Sequence, residues 1–128
     1  MKVLVIEDNP IDLKLVIAIL RGSGHEVGGQ MSAEGAIEAI RADRPDVILL
    51  DLNLPDIDSF SLVRALRQQA DMREIPIMAV TAYPQRYDAK AALAAGCSAY
   101  VAKPINTREL VNQLRDLTTD RSSPDGRL

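Results

Sequence analysis

Short apolar segments alternate along the chain with segments of helical periodicity. Most of the apolar segments are continuous rather than alternating, which is typical of strands buried on both faces of a parallel sheet. They are VLVI (3–6), the weaker HEVGGQ (25–30), DVILL (46–50), PIMAV (76–80) and AYVA (99–102). Their onsets recur about every twenty to thirty residues, the length of a βαβ repeat. The pattern therefore predicts five successive βα units.

The intervals between these segments carry helix signals. Asn9 can cap a first helix, Pro10 suits its first position, and the segment GSG (22–24) ends it. Ser32 opens a second helix, and Asn106 with Glu109 forms a capping-box pair for the fifth. The apolar positions at helical spacing are Ile11, Leu15 and Ile19; Ala33, Ile37 and Ile40; Phe60, Val63 and Leu66; KAALAAG (90–96), with Gly96 as C-cap; and Leu110, Leu114 and Leu117.

These elements predict an α/β fold: a (βα)5 doubly wound, flavodoxin-like sheet of five parallel strands in the order 2-1-3-4-5. The predicted domain spans residues 1–117. From residue 118 the periodicity ends and Ser, Pro, Asp and Gly accumulate, so residues 118–128 are expected to form a flexible C-terminal tail.

Composition narrows the function classes. The 128 residues are 47% apolar and 26% charged, as in an ordinary soluble globular domain. The net charge is −3 and the basic residues are scattered, so we expect no direct nucleic-acid binding. No apolar segment approaches the roughly 20 residues needed to span a membrane. The first nine residues, MKVLVIEDN, do not have the pattern of a signal peptide. Cys97 is the single cysteine, which suits the cytoplasm.

Charged and hydroxyl side chains stand at the ends of four predicted strands. Ligands of open parallel sheets bind outside the carboxyl ends of the strands. The side chains expected there are Glu7 and Asp8 after the first strand, Asp51 after the third, Thr81 at the fourth and Lys103 after the fifth. Considered alone, each of these side chains is more simply explained as an ordinary surface, turn or strand residue. Five of them at one edge of the sheet would be an improbable coincidence.

The first and third strands are central neighbours in this order, so Glu7, Asp8 and Asp51 would form one acidic cup. Three close carboxylates favour a hard divalent cation with oxygen ligands, Mg²⁺ or Mn²⁺. A metal, a lysine and a hydroxyl around one carboxylate suit phosphoryl transfer. Asp51 is the best nucleophile because it stands apart from the Glu7–Asp8 pair.

The segments IEDNP (6–10), DLNLPDID (51–58), VTAY (80–83) and AYVAKPI (99–105) together resemble a bacterial response-regulator receiver domain. The resemblance covers residues 2–117, and receivers of the single-domain cell-cycle and chemotaxis type look most similar. It implies a phospho-accepting signalling switch rather than a conventional enzyme, with slow acyl-phosphate hydrolysis. Its expected partners are a histidine kinase or histidine phosphotransfer protein and a downstream protein target, with no membrane contact. We expect a monomer or a weak dimer.

The resemblance also implies a role for each matching residue. Asp51 corresponds to the phospho-acceptor, with Asp8 as a direct Mg²⁺ ligand and Glu7 acting through water. The backbone carbonyl of Asn53 would complete the metal site. The remaining positions are Thr81 as the switch hydroxyl, Lys103 as the phosphoryl-pairing lysine before a cis Pro104, and Tyr100 as the aromatic switch.

Two positions depart from the family pattern. Ser59 stands where a glycine is usual, and its Cβ would restrict positive φ and reshape the loop after Asp51. Tyr83 and Pro84 stand where small or polar residues are common, and Pro84 would stiffen the entry into the fourth helix.

Three other functions compete with the switch. A Mg²⁺-dependent phosphatase would need an acid two residues after its nucleophile, where this chain has Asn53. An FMN carrier would need a phosphate-cradling first loop, where this chain has Glu7 and Asp8. An interaction scaffold without phosphorylation would not need the complete set of acids, threonine and lysine.

Overall fold

The computed structural model describes residues 1–54 and 57–122, and in that part of the chain strands and helices alternate regularly. In chain order they are β1 (Lys2–Ile6), α1 (Pro10–Gly22), β2 (Glu26–Gln30), α2 (Ala33–Ala42), β3 (Val47–Asp51), α3 (Ser59–Gln68), β4 (Ile77–Thr81), α4 (Ala89–Ala95), β5 (Ala99–Ala102) and α5 (Thr107–Ser122). No helix of this described part is long and apolar enough to cross a bilayer.

The strands form one parallel sheet in the order β2-β1-β3-β4-β5, which confirms the predicted topology. Its two faces carry separate apolar cores. One core joins the sheet to α2, α3 and α4, and the other joins it to α1 and α5. Every residue of β3 and β4 is buried, as continuous apolar segments predict for central parallel strands.

Capping side chains fix where the helices begin. Asn9 accepts hydrogen bonds from the backbone N–H groups of the first turn of α1, and Pro10 is its first residue. Ser32 caps α2 and Asn106 caps α5 in the same way. At the other end of α4, Gly96 has a φ of 121°, a left-handed conformation that glycine adopts without strain. The predicted caps are therefore confirmed.

Helix α1 has a second apolar stripe that the core does not use. Val16 and Leu20 face the core, whereas Ile11 is 76% and Leu15 is 59% exposed. The four-residue spacing of Ile11, Leu15 and Ile19 identified the helix correctly, but these residues are exposed or half-buried, and the buried Val16 and Leu20 were not among them. This leaves an uncovered apolar strip beside the carboxyl edge of the sheet.

Helix α5 continues to Ser122, five residues beyond the predicted domain boundary at 117. Among the residues of α5 whose burial is described, up to residue 118, the last buried one is Leu114, and the Thr118 hydroxyl donates to the carbonyls of Leu114 and Arg115. Backbone hydrogen bonding can extend a helix beyond its last apolar position. The rest of the predicted tail, residues 123–128, lies outside the described residues.

Arg67 joins several segments at the amino edge of the sheet. Its guanidinium donates to the carbonyl of Gly96 at 2.9 Å and to that of Ile75 at 2.6 Å, with a further bond to Arg73. Ser98 adds a contact there, since its hydroxyl accepts from the N–H of Ile77. The end of α3 is thus tied to the segments that enter β4 and β5.

Candidate functional site

The carboxyl ends of four strands bring the predicted site residues to one edge of the sheet. Strand register aligns Asp51 with Val80 and Thr81 with Ala102, so the polar side chains follow at the same level. Carboxylate oxygens of Glu7, Asp8 and Asp51 lie within 4.8 Å of one another. The acidic cup predicted from the strand order is therefore present.

Burial makes the charged forms of the carboxylates in this cup less favourable. Glu7 and Asp51 are buried and Asp8 is partly buried. Burial raises the pKa of Glu7, and a hydrogen bond with Asp51 raises it further, against the opposing effect of Lys103. The backbone N–H of Asn9 donates to Glu7 Oε2 at 3.2 Å. The cup therefore favours binding a positive charge, either a proton or a metal cation.

Lys103 supplies positive charge from the loop after β5. Its Nζ lies 2.8 Å from Glu7 Oε1, 3.2 Å from Asp12 Oδ2 and 4.0 Å from Asp51 Oδ2. Burial acts to lower the pKa of Lys103, but its hydrogen bond to Glu7 and the neighbouring carboxylates outweigh that effect and raise it. The Lys103–Pro104 peptide bond is cis, as the resemblance implies.

Asp12 is a residue of this site that the sequence analysis missed. It lies in the first turn of α1, where an acid reads simply as a favourable partner for the helix dipole. Within α1, Asp12 lies one helical turn before the buried Val16, so it is on the core-facing side of the helix at the end nearest the strand ends.

Backbone and hydroxyl donors hold the nucleophile candidate from the β3–α3 side. The N–H of Asn53 donates to Asp51 Oδ1 at 3.0 Å. The buried Ser59 hydroxyl lies 2.8 Å from the carbonyl oxygen of Leu52 and 3.2 Å from that of Asp51. Ser59 is the first residue of α3, a helical position that tolerates a Cβ, so the expected backbone conflict does not arise. Its hydroxyl instead closes the loop onto the end of β3.

Thr81 and Tyr100 contact the β4–α4 loop at two points. Thr81 is buried and its Oγ1 accepts from the N–H of Tyr83 at 2.9 Å. The Tyr100 hydroxyl donates to the carbonyl of Tyr87 at 2.5 Å, and its ring packs partly against the core. The Tyr83 side chain is 51% exposed. Residues 82–88 are therefore held by both of the proposed switch residues.

An apolar groove of about 250 Å³ opens beside the acidic cup, between α1 and the β5–α5 loop. Glu7, Asp12 and Lys103 form its polar end, and its apolar lining consists of Leu15, Val16, Ile19, Pro104 and Ile105. The polar chemistry thus adjoins the uncovered strip of α1.

Sequence comparison agrees with this geometry. The sequence model of the response regulator receiver domain matches residues 3–115. The chain belongs to this family. The polar-differentiation response regulator DivK of Brucella anthropi is 30% identical over 118 residues, covering 92% of this chain and 96% of that protein. As a receiver domain, the protein is a component of two-component signalling, and phosphoryl acceptance is the general function of the family.

Two crystal structures show how similar this receiver domain is to known ones. The receiver domain of the Pseudomonas aeruginosa sensor histidine kinase PA1611, which has a magnesium ion coordinated in its active-site cleft, is 34% identical with a TM-score of 0.85. The alignment covers 92% of this chain and 97% of that one. The chemotaxis response regulator CheY4 of Vibrio cholerae is 28% identical with a TM-score of 0.82, covering 91% and 97%.

Proposed function

We propose that this receiver domain takes a phosphoryl group from a phosphohistidine partner onto Asp51, with Mg²⁺ bound, and that it thereby changes its partner-binding surface. The observation that supports this most directly is the meeting of three carboxylates and one lysine at a single sheet edge. Asp51 is the carboxylate that both Lys103 and the Asn53 N–H approach. We regard it as the acceptor.

The acidic cup fits a divalent metal. Its oxygen donors lie close enough for one ion to contact several of them, and hard oxygen ligands are those that Mg²⁺ prefers. Asp8, Asp51 and the Asn53 carbonyl would hold the ion directly, and Glu7 through water. The bound ion would neutralise charge on the phosphoryl oxygens. By the same chemistry Mn²⁺ would substitute.

In the proposed transfer, an Asp51 carboxylate oxygen attacks phosphorus and the phosphorus–nitrogen bond of the phosphohistidine breaks. The electron pair of that bond stays on the imidazole nitrogen, and Asp51 becomes an acyl phosphate. Lys103 and the Thr81 hydroxyl would pair with phosphoryl oxygens. Water later releases inorganic phosphate and restores the carboxylate, so the protein switches slowly rather than working as a conventional enzyme.

The switch would work through the loop that Thr81 and Tyr100 hold. When Thr81 turns toward a phosphoryl oxygen, it gives up its bond from the Tyr83 N–H. Tyr100 then moves into the vacated space and releases the Tyr87 carbonyl. We expect the surface of α4, β5 and α5 to change, and the inward state to be a minor species beforehand. Thr81→Ala should still accept phosphate but transmit it poorly to a partner.

The donor would be a histidine kinase or a histidine phosphotransfer protein that covers the groove beside α1. A protein that brings phosphohistidine to Asp51 must cover the rim of the cup, where Ile11 and Leu15 are exposed. Leu15→Asp should slow labelling by a phosphohistidine protein far more than labelling by acetyl phosphate. Leu93→Asp, at an exposed leucine on α4, is the matched control and should leave both rates close to wild type. Equal slowing with both donors would contradict docking here.

We infer a cytoplasmic location, because the single cysteine, Cys97, is free and buried. We infer that the downstream target is a protein rather than a nucleic acid, because the basic residues are scattered along the chain. A monomer or weak dimer is the state we propose for the unphosphorylated chain.

A direct test measures intact mass after incubation with acetyl phosphate and Mg²⁺, with and without EDTA. The wild type should gain one phosphoryl group only when the metal is available. Asp51→Ala should gain none while remaining folded. Labelling of Asp51→Ala at the wild-type rate would overturn the assignment, and labelling of wild type in EDTA would overturn the metal requirement. Hydrolysis of many phosphoesters per protein would favour the phosphatase alternative.

A further inference from the structure

One carboxylate beside the cup has no part in the proposed metal site. Asp12 projects from the first turn of α1, and its Oδ2 lies 3.2 Å from Lys103 Nζ. The set of acids that could share a metal contains Glu7, Asp8 and Asp51 but not Asp12. Asp12 therefore touches the lysine of the site without belonging to the group that would bind the ion.

The lysine is held on the α1 side of the cup. Its Nζ is within hydrogen-bond distance of Glu7 and Asp12, whereas Asp51 Oδ2 is 4.0 Å away, beyond a hydrogen bond. An ammonium has three N–H donors and two of them are directed to these acceptors. The third N–H has no acceptor on Asp51 within hydrogen-bond distance, and moving Nζ toward Asp51 to pair with a phosphoryl group there would lengthen the contact with Glu7 or with Asp12.

We propose that Asp12 is a positioning residue that holds Lys103 away from Asp51 until a phosphoryl group arrives. This inference rests on the proposed function of Asp51 and concerns how readily the lysine is released. Asp12 is the contact that is given up, since its side chain is 42% exposed and water can replace Lys103 there, whereas the Glu7 side chain is only 7% exposed. Loss of the pair with buried Glu7 would leave a charge poorly solvated.

The backbones on both sides of this contact are anchored, so the change falls on the side chains. The Asp12 N–H donates to Asn9 Oδ1 at 3.2 Å within the cap of α1. The Lys103 N–H donates to the Thr81 carbonyl at 2.7 Å. Asp12 also borders the groove proposed for the phosphohistidine donor. A docking partner can therefore reach the acid that restrains the lysine.

The test is a comparison of labelling rates with acetyl phosphate at fixed Mg²⁺ and pH. Asp12→Asn should label about two- to fivefold faster than wild type, the range that a partly exposed ion pair supports. The matched control is Asp58→Asn, which removes the same charge from the same sheet edge at an exposed residue bonded to Ser61. It should label at close to the wild-type rate. If the loss of any negative charge near the site were enough to speed labelling, both variants would instead be labelled faster by the same factor.

A double-mutant cycle separates restraint of the lysine from support of the helix. In a Lys103→Met background, Asp12→Asn should no longer accelerate labelling relative to Lys103→Met alone. The ¹⁵N resonance of the Lys103 ammonium should also shift in Asp12→Asn and stay in place in Asp58→Asn. If the labelling of Lys103→Met is too slow for its rate to be measured, the response of the Lys103 ammonium resonance tests the inference instead.

The outcomes distinguish this inference from the proposed function. Failure of the wild type to label at all would refute the proposed function itself. Wild-type labelling together with an unchanged or slower Asp12→Asn would overturn only the role of Asp12. The same holds if the acceleration persists without Lys103, or if the ammonium resonance does not respond.

Discussion

The two edges of the sheet surround a partly buried cation in different ways. At the amino edge, the Arg67 guanidinium donates to neutral backbone carbonyls, among them those of Gly96 and Ile75. At the carboxyl edge, Lys103 is shared by Glu7, Asp12 and, at a longer distance, Asp51. At the amino edge a cation donates to backbone carbonyls, whereas at the carboxyl edge several acids share a cation.

This difference separates what stabilises the fold from what serves its function. Charge-assisted hydrogen bonds from Arg67 to these carbonyls favour the folded state, because they are stronger than bonds between neutral groups. Crowded carboxylates oppose folding because burial and mutual repulsion both disfavour their charged forms. Substitutions at the two edges should therefore change stability with opposite signs, and the carboxyl edge alone should respond to Mg²⁺.

The largest effect is expected at the amino edge. Arg67→Ala should lower the free energy of unfolding by about 2–3 kcal/mol, because it removes several charge-assisted bonds to carbonyls. Urea unfolding measures this loss, and Arg64→Ala, at an exposed arginine of the same helix, is the matched control. If the two variants have the same free energy of unfolding, the proposed difference between the two edges is wrong.

Metal binding should depend unequally on the two adjacent acids of the carboxyl edge. Asp8→Asn should weaken Mg²⁺ binding by roughly tenfold, equivalent to about 1.4 kcal/mol, since it loses a direct ligand. Glu7→Gln should weaken it less, since its contact would pass through water. Calorimetric titration of the apo protein and both variants gives the constants. Equal losses would contradict the division into direct and water-mediated ligands.

Removing the proposed acceptor should stabilise the apo protein. Asp51→Ala deletes one of the crowded carboxylates and should raise the free energy of unfolding by about 1 kcal/mol, because it relieves repulsion between neighbouring charges. Mg²⁺ should then stabilise the wild type and have little effect on the variant. Asp116→Ala, at an exposed acid of α5, serves as the control. If Asp51→Ala is less stable than this control, repulsion does not dominate the edge.

The pH dependence of stability should show the cost of ionising Glu7. Burial, with the contact to Asp51, raises its pKa above the ordinary 4.5, so the folded protein holds this proton more tightly than the unfolded chain. The stabilisation is full below pH 4.5 and is lost as the pH rises through the folded-state pKa. Without metal, Glu7→Gln should remove this loss, whereas Glu38→Gln, at an exposed acid of α2, should retain it. If the loss of stability with rising pH is as large in Glu7→Gln as in the wild type, another group is responsible for it.

The smallest effect concerns how long the phosphoryl group survives. Tyr83 lies two residues after Thr81, and Pro84 limits its backbone, so its ring is expected to hinder the water that attacks phosphorus. Its side chain is half exposed, so Tyr83→Ala and Tyr83→Glu should lose phosphate only about two- to threefold faster. Autodephosphorylation at fixed Mg²⁺ and pH measures this. If neither variant is faster, Tyr83 simply packs outward.

Sequence reasoning predicted the scaffold well because its signals are local. Continuous apolar segments marked the strands, and Asn9 and Ser32 marked helix starts, since a cap needs only residues a few positions apart. The acidic cup followed because parallel strands present their carboxyl ends together. These signals need no knowledge of how side chains pack.

The details that escaped prediction depend on packing across the fold. Asp12 pairs with a lysine 91 positions later in the chain, and the Ser59 hydroxyl finds carbonyl acceptors only once the loop after β3 is closed. Which stripe of α1 faces the core also depends on how the helix is rotated against the sheet, so Leu15 could not be placed outside from spacing alone. The helix α5 runs beyond residue 117, where its apolar periodicity ends, so periodicity alone did not give its last residue.

The pairing of Glu7 with Lys103 links the two ends of the folding domain, 96 positions apart in the chain. Along the chain the acids that follow β1 and end β3 come well before the lysine, and β5, which precedes it, is the last strand in sequence and lies at one edge of the sheet. A chain that ends before β5 would contain the proposed acceptor without its lysine. We therefore expect that, under the proposed function, such a partly made chain would not accept phosphate.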